Sequence, residues 1–353
     1  MRRVFINRVA TSVPPHDVHA TFISFATDIL EDPRLKTVLH RVASRSGIEH
    51  RYSYLQMKKP LHKGSIDASK VFRPGHFPST GARMQLFEKL APRLAFQALD
   101  ALRLTPAELG RIRHVIVTCC TGFYAPGLDF NIVDHLGLPS SVERTMIGFM
   151  GCYAAMNALK LARHIVRSEP QGSVLIVNLE LCTLHLQETQ NIAEMLSFLI
   201  FGDGCSASLV SSDATGLEIS SFTAFEIPGT RELISWRIGE SGFDMMLSGQ
   251  VPSEIGRSLS ALGKTTPGGD AIDLWAIHPG GRSVLDAVET SLSLTPDRLR
   301  DSRAILSCYG NMSSATIMFV LEEMMKTAES GQKGCAMSFG PGLAAETMYF
   351  DVA

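Results

Sequence analysis

Short β-branched runs alternate with longer amphipathic stretches along this chain, and that alternation limits its fold more than any other feature. Val115-Ile116-Val117 is followed by a helical pattern from Ala154 to Val166, and that by Val174-Leu175-Ile176-Val177. Strands separated by helix-length segments are the mark of an α/β protein. The second half repeats the theme: Ile272 to Ile277 reads as a strand ending at His278, Ala304 to Ser307 as a strand before a turn, and Ala315 to Met325 as a helix. A chain of 353 residues exceeds a typical single domain. The repeat predicts two related α/β halves, 1–212 and 213–353, with a boundary near Ser212 and Asp213. Gly239 to Pro252, which holds Gly242 and Gly249, is expected to be a loop or hairpin, and Arg41 to Arg51 the end of a helix running into a basic strand. The last residues, Met348 to Ala353, read as a closing strand.

Composition removes several function classes. A formal charge of -2 leaves no chain-wide footprint for nucleic acid or an anionic membrane, so any polyanion has to be met locally. Seven cysteines, an odd number without CxxC pairs, argue against a disulfide framework and against a zinc site, and fit a reducing compartment. Apolar runs such as Leu199-Ile200-Phe201 are far too short to span a bilayer, and the N-terminal MRRVFINRVATSVPP lacks the apolar core of a signal peptide, so a cytoplasmic protein is expected. With 45% hydrophobic and only 19% charged residues, few charges are available to cover the surface, which suits a homodimer.

Three residues at element boundaries carry the candidate chemistry. Cys152, in Met150-Gly151-Cys152-Tyr153-Ala154-Ala155, precedes the helical pattern through Leu159, Ala162 and Ile165. A helix N-terminus offers unpaired N–H groups and the positive end of the dipole, which stabilise a thiolate, the form that attacks a thioester. An ordinary buried cysteine fits the same local pattern. His278 follows a strand and precedes Pro279-Gly280-Gly281, placing its ring at a strand's carboxyl end, where α/β sheets hold ligands. Asn311, between Gly310 and Met312, either donates its amide to a developing oxyanion or caps the following helix. By themselves Cys, His and Asn do not separate a condensing enzyme from a cysteine hydrolase, since both need a nucleophile, a His and an amide donor.

The wider motifs discriminate. Gly148 to Ala155, Phe201-Gly202-Asp203-Gly204, His278-Pro279-Gly280-Gly281, Tyr309-Gly310-Asn311-Met312-Ser313-Ser314-Ala315 and Phe339-Gly340-Pro341-Gly342 occur in the order and at the spacing of the type III polyketide synthases. From about Arg45 to its C-terminus the chain resembles these chalcone synthase-like condensing enzymes of the thiolase superfamily, and a bacterial member most. The resemblance implies a thiolase fold, a five-layered αβαβα built from two pseudo-duplicated halves. It implies a homodimer that extends an acyl-CoA with malonyl-CoA, needing no metal, no cofactor beyond its CoA substrates and no acyl carrier protein. In that family Cys152 would carry the starter and growing chain, His278 would keep it a thiolate, and His278 with Asn311 would stabilise the enolate left by decarboxylation.

The resemblance also assigns pocket residues. Phe201 matches one of two gatekeeping phenylalanines, whereas the second position is Met245 here, a softer gate. Cys120, His185, Trp236 and Ser313 match cavity positions, Ala125 matches a residue that reaches across the dimer, and Gly340 and Pro341 belong to a loop that closes the cavity wall beside the nucleophile. Arg41 and Arg45, four apart on one helix face, match residues that hold CoA phosphates, while the third cation of that cluster is Val38, with Lys36 nearby. Trp236 and Cys120 stand where plant members carry a small residue and a Thr. Trp at that position accompanies long fatty acyl starters in bacterial relatives that release pyrones or resorcinols, although a bulky aromatic also occurs where malonyl-CoA is itself the starter. The rival readings are a β-ketoacyl synthase III-like enzyme, which would need a carrier protein, a Cys-His-Asn thioester hydrolase, and a non-catalytic thiolase-fold scaffold.

Overall fold

Two stretches of backbone with the same connectivity make up the fold, in a computed structural model that describes residues 2–57, 65–262 and 272–353. The first comprises β1 (Phe5–Ser12), β2 (His16–Asp17), α1 (His19–Ile29), α2 (Pro33–Arg45), β3 (Tyr52–Ser53), α3 (Thr80–Leu102), α4 (Pro106–Leu109), β4 (Ile112–Cys119), α5 (Leu128–Leu136), β5 (Glu143–Gly148), α6 (Ala154–Ser168), β6 (Ser173–Leu181), α7 (Ile192–Ile200) and β7 (Asp203–Ser211). The second comprises β8 (Leu217–Glu226), β9 (Ile234–Gly239), β10 (Gly242–Leu247), α8 (Val251–Leu262), β11 (Leu274–Ile277), α9 (Arg282–Ser291), α10 (Arg300–Tyr309), α11 (Thr316–Met325), β12 (Lys333–Gly340) and β13 (Ala344–Val352).

Strand order makes the duplication visible. In the first half, β5, β4 and β6 run parallel, and β7 and β1 follow antiparallel. The second half repeats this with β11 and β12 parallel, then β13 and β8 antiparallel. The half-sheets join where Phe5 and Ile6 of β1 pair with Glu218 and Leu217 of β8, giving one nine-stranded sheet.

Side chains alternate across each strand, so each half-sheet has an inner and an outer face. Ile116 and Ile176 point inward, where they share a core with Ala276, Ala336 and Met348 of the other half and with α6 and α11 between them. Helix α11 is buried along the whole of Thr316 to Leu321, as a helix covered on all sides must be. Helix α6 turns Ala155, Ala158, Leu159, Ala162 and Val166 inward, and its small residues permit close packing. Val115, Val117 and Val177 face outward onto Leu94, Ala95 and Ala98 of α3. On the far side, Ile255 and Leu259 of α8 and Leu285 and Val288 of α9 cover Trp275 and Ile277. Each fully buried Leu, Ile or Phe contributes about 1.5–3 kcal/mol relative to exposure. The result is the expected five layers, αβαβα.

One local expectation changes. Ala304 to Ser307 is not a strand but part of α10: Ser302, Ile305 and Leu306 are buried at helical spacing, while Arg303 turns outward to Asp286 (2.8 Å) and Glu289 (2.7 Å) on α9. A four-residue apolar run cannot by itself distinguish strand from helix. The second half-sheet therefore has four strands against five, and β5 has no counterpart. The Gly239 to Pro252 segment contains the turn and second strand of the β9–β10 hairpin and then enters α8 at Val251. The expected closing strand is β13, which lies inside the sheet between β12 and β8.

Candidate active site

Cys152 lies in a 3-10 turn, Gly151–Tyr153, that leads straight into α6. The turn needs glycine at 151, where φ is +69° and an added Cβ would meet Pro341 Cδ at 2.1 Å. Gly340 is constrained in the same way, since a Cβ there would lie 2.7 Å from the Tyr153 ring and 3.3 Å from the Cys152 nitrogen. The Gly340-Pro341 loop thus packs directly on the nucleophile's turn, as anticipated.

Asn311 reaches the same point from the second half. Gly310, at φ +68°, ends α10, and the Asn311 backbone then pairs with Phe201: its N–H donates to the Ile200 carbonyl and its carbonyl accepts from Gly202 N–H, both at 2.9 Å. Oδ1 accepts from Ser313 N–H at 2.8 Å and from the Thr316 hydroxyl at 3.4 Å. Asn311 therefore does cap the approach to α11, and this fixes its amide so that Nδ2 is left as a donor, with only the Gly280 carbonyl at 3.5 Å. Cys152 Sγ lies 4.0 Å from Asn311 Oδ1 and 3.9 Å from Ser313 Oγ. Ser313 holds φ at +48°, a strained value for serine that its neighbours impose.

His278 follows β11, held by its N–H to the Met337 carbonyl at 2.8 Å. It is 1% exposed, and among the described residues neither ring nitrogen has a hydrogen-bond partner. Burial pushes its imidazole down to about 3 and the Cys152 thiol up to about 12. Each shift is the cost of an isolated charge in an apolar site, so a thiolate forms here only if a positive charge or strong donors form with it.

Cys152, His278 and Asn311 line one cavity, which encloses about 680 Å³ including its mouth. Phe201, Met245, Cys120, Trp236, Ser313, Gly340 and Pro341 line it too. The hairpin explains how Met245 and Trp236 meet: they are directly opposite in register, as are Leu247 and Ile234, so all four side chains share a face. Val251 and Ile255, one turn apart on α8, with Val284 and Phe339, complete an apolar wall that sequence reading missed. Their signal, i and i+2 spacing on the hairpin and i and i+4 on α8, is present but is also that of ordinary core.

Other expected pocket residues lie elsewhere. His185 is fully buried behind Trp236: Nε2–H donates to the Thr121 carbonyl at 2.7 Å, Nδ1 accepts from Phe243 N–H at 3.0 Å, and the ring stacks on Phe243 at 4.1 Å. Its role is to support Trp236, whose indole N–H donates to the Cys120 carbonyl at 2.7 Å. Ala125 is exposed in the loop between β4 and α5, and Arg41 and Arg45, which the resemblance gives to CoA phosphates rather than to the pocket, are exposed on α2. Sequence reading also missed Glu180, a fully buried carboxyl pushed up to about 7 by burial. It accepts from Cys120 N–H at 3.0 Å, from the Thr121 hydroxyl at 2.9 Å and from Ser314 Oγ, and so ties the two halves together under the site.

Among the described residues no group of His, Cys, Asp and Glu is arranged to hold a metal ion, and no helix is long and apolar enough to cross a membrane. Residues 8–214 match the model for the N-terminal domain of chalcone and stilbene synthases, and 218–352 that for their C-terminal domain. The chain is 33% identical over 343 residues to bisdemethoxycurcumin synthase of Oryza sativa subsp. japonica, covering 89% of this chain and 83% of that one. It is 34% identical over 290 residues to the alpha-pyrone synthesis polyketide synthase-like Pks18 of Mycobacterium tuberculosis, covering 76% and 73%. Among solved structures, PKS-I of the brown alga Ectocarpus siliculosus superposes with a TM-score of 0.89 at 29% identity, covering 100% of this chain and 99% of that one. The C-terminal type III polyketide synthase domain of Steely1 from Dictyostelium gives 0.87 at 26%, covering 99% of each.

Proposed function

This chain belongs to the chalcone and stilbene synthase family, the type III polyketide synthases, and from that premise we propose that it loads an acyl-CoA starter on Cys152 and extends it with malonyl-CoA. The observation that carries the reading is the convergence of Cys152, His278 and Asn311, whose Nδ2 makes a long 3.5 Å bond to the Gly280 carbonyl, on one apolar cavity. Proton transfer from thiol to imidazole makes two charges that offset each other's burial, so His278 supplies what Cys152 lacks. Attack on the thioester carbonyl develops an oxyanion that Asn311 and His278 meet with N–H donors. The same donors receive the enolate oxygen when malonyl-CoA loses carbon dioxide, so the carbon nucleophile arises without a strong base. The chemistry calls for no cofactor beyond the CoA thioesters and no carrier protein.

The aliphatic wall of Ile234, Leu247, Val251, Ile255 and Val284 suits an acyl chain, and Trp236 braced on His185 closes the side that a broad aromatic starter would use. These features support a fatty acyl starter and a pyrone or resorcinol product. The dimer follows from the other end of the sheet. Among the described residues strand β5 pairs only with β4; Met146 on it is 41% exposed, and Phe130, under Arg144 of the same strand, is 44% exposed. An apolar sheet edge invites pairing with a second copy.

Mass spectrometry of products from malonyl-CoA and a panel of acyl-CoAs, with Cys152→Ala alongside, tests the reading. Ring products that vanish in the variant are expected. Free acid alone, or turnover only with an added carrier protein, would move the assignment to a thioester hydrolase or a β-ketoacyl synthase III.

A further inference from the structure

Behind the wall of the catalytic cavity stands a second layer of aromatic rings. Trp236 lines the cavity, whereas Phe243, which meets the indole edge-on with 5.9 Å between ring centroids, is buried behind it and is not part of the lining. His185 stacks on the same Phe243 ring at 4.1 Å. Phe243 is in turn packed on Phe149 at 5.6 Å, and Phe149 stacks on Phe123 at 5.3 Å. Phe123 lies against Gly148, where an added Cβ would sit 2.8 Å from its ring. A continuous run of rings therefore leads from Phe123 through Phe149 and Phe243 to Trp236.

Phe149 holds its place against a backbone preference. Its φ is +55°, in the left-handed region that bulky side chains avoid, and a glycine there would relieve the strain as Gly151 does two residues later at +69°. The chain carries a large ring at this position instead. Phe149 follows β5 directly and precedes Cys152 by three residues, so its backbone leads into the nucleophile's turn while its ring supports the residue behind Trp236. The indole itself is lightly tethered: among the described residues its one hydrogen bond is from Nε1 to the Cys120 carbonyl at 2.7 Å, and the ring contacts hold the rest.

We propose that Phe149 is a positioning residue for starter selection: through Phe243 it holds Trp236 in the cavity wall and so sets the room an acyl starter has beside Cys152. The proposal rests on the acyl-transfer reading of the site. Protein interiors are close-packed, so a volume change of one methylene behind a wall residue is felt at the wall. Leucine at 149 leaves a gap behind Phe243. Phe243 then settles into it, and the indole, pivoting on its bond to the Cys120 carbonyl, follows and widens the cavity.

The test compares kcat/KM for a bulky aromatic and a short aliphatic acyl-CoA in the wild type, Phe149→Leu, Trp236→Ala and the double variant. Phe149→Leu should raise the aromatic-to-aliphatic ratio about tenfold, the lower end of what one methylene of room in an apolar pocket does to selectivity. In the Trp236→Ala background the same substitution should move the ratio by less than about twofold, because the side chain it acts through is gone. A general loss of turnover from disturbing the Cys152 turn cancels in the ratio. Acrylamide quenching needs no substrate: read at Trp236 with the chain's other tryptophan replaced, Trp275→Phe, it should rise in Phe149→Leu and stay at the wild-type level in Phe149→Tyr, which keeps the ring. Phe149→Met, flexible and apolar, serves where the leucine variant does not fold. Unchanged ratio and quenching, or equal ratio shifts with and without Trp236, would overturn the proposal. A wild type that turns over no acyl-CoA would overturn the proposed function, and quenching alone would then decide whether Phe149 positions Trp236.

Discussion

Asn311→Asp turns one donor into an acceptor and leaves the shape of the site alone. Oδ1 keeps its bonds from Ser313 N–H and the Thr316 hydroxyl, so the turn into α11 survives. What is lost is Nδ2, whose only protein contact, the Gly280 carbonyl at 3.5 Å, is too long to hold it away from the cavity. Removing one oxyanion donor costs about 2.7–4 kcal/mol, or about 10²–10³ in kcat. The new carboxylate also stands where Oδ1 lies 4.0 Å from Cys152 Sγ. Two like charges at that separation repel by on the order of 4 kcal/mol at an effective dielectric near 20, which holds Cys152 as a thiol and adds a loading defect. The two effects separate experimentally. Carbon dioxide release from labelled malonyl-CoA in a Cys152→Ala background reports the donor alone, and acyl-enzyme formation in the Asn311→Asp single variant reports the added charge. Decarboxylation within about threefold of the Cys152→Ala parent, less than 1 kcal/mol of barrier, with an unchanged melting temperature, would refute the claim that Nδ2 meets the developing charge.

Burial pushes Cys152 up to about 12 and His278 down to about 3, so His278→Gln leaves the thiol without its counter-charge. A raised thiol stays protonated as pH rises, so iodoacetamide should label the variant slowly at neutral pH and ever faster toward pH 10, while the wild type reaches its plateau lower; superimposable profiles would rule out the pairing. Gly151→Ala places a Cβ 2.1 Å from Pro341 Cδ at φ +69°, adding strain of about 1–3 kcal/mol; calorimetry should show a lower melting temperature and labelling a lost acyl-enzyme, and a wild-type melt would contradict the packing. Trp236→Ala removes the indole bond to Cys120 and the wall in front of His185. Bulkier, aromatic starters should then be accepted in the acyl-CoA panel, and an unaltered starter profile would mean that Trp236 does not bound the cavity.

Periodicity and punctuation were enough to read an α/β chain of two related halves and the candidate residues Cys152, His278 and Asn311 from the sequence, while the layered plan came from the family resemblance. The β-branched runs of β4 and β6 are buried between layers and show it in their composition, Cys152 and Asn311 each follow a glycine at an element boundary, and His278 ends a strand two residues before Gly280. Local signals failed where two conformations bury the same residues equally well, as in Ala304 to Ser307, where only the salt bridges from Arg303 to α9 reveal a helix. They failed also where a role depends on what lies across the interface between the halves. Glu180 is an unremarkable acid in an apolar strand until Ser314 arrives from the other half. His185 and Trp236 are 51 residues apart, and their edge-to-face contact, with Trp236 on the cavity side, forms only once the hairpin has folded against the turn that holds His185. Residue type and spacing determine the elements and their buried faces because those depend on neighbours in the chain. The cavity and the buried links between the halves depend on neighbours brought together by folding, and only the tertiary structure decides which those are.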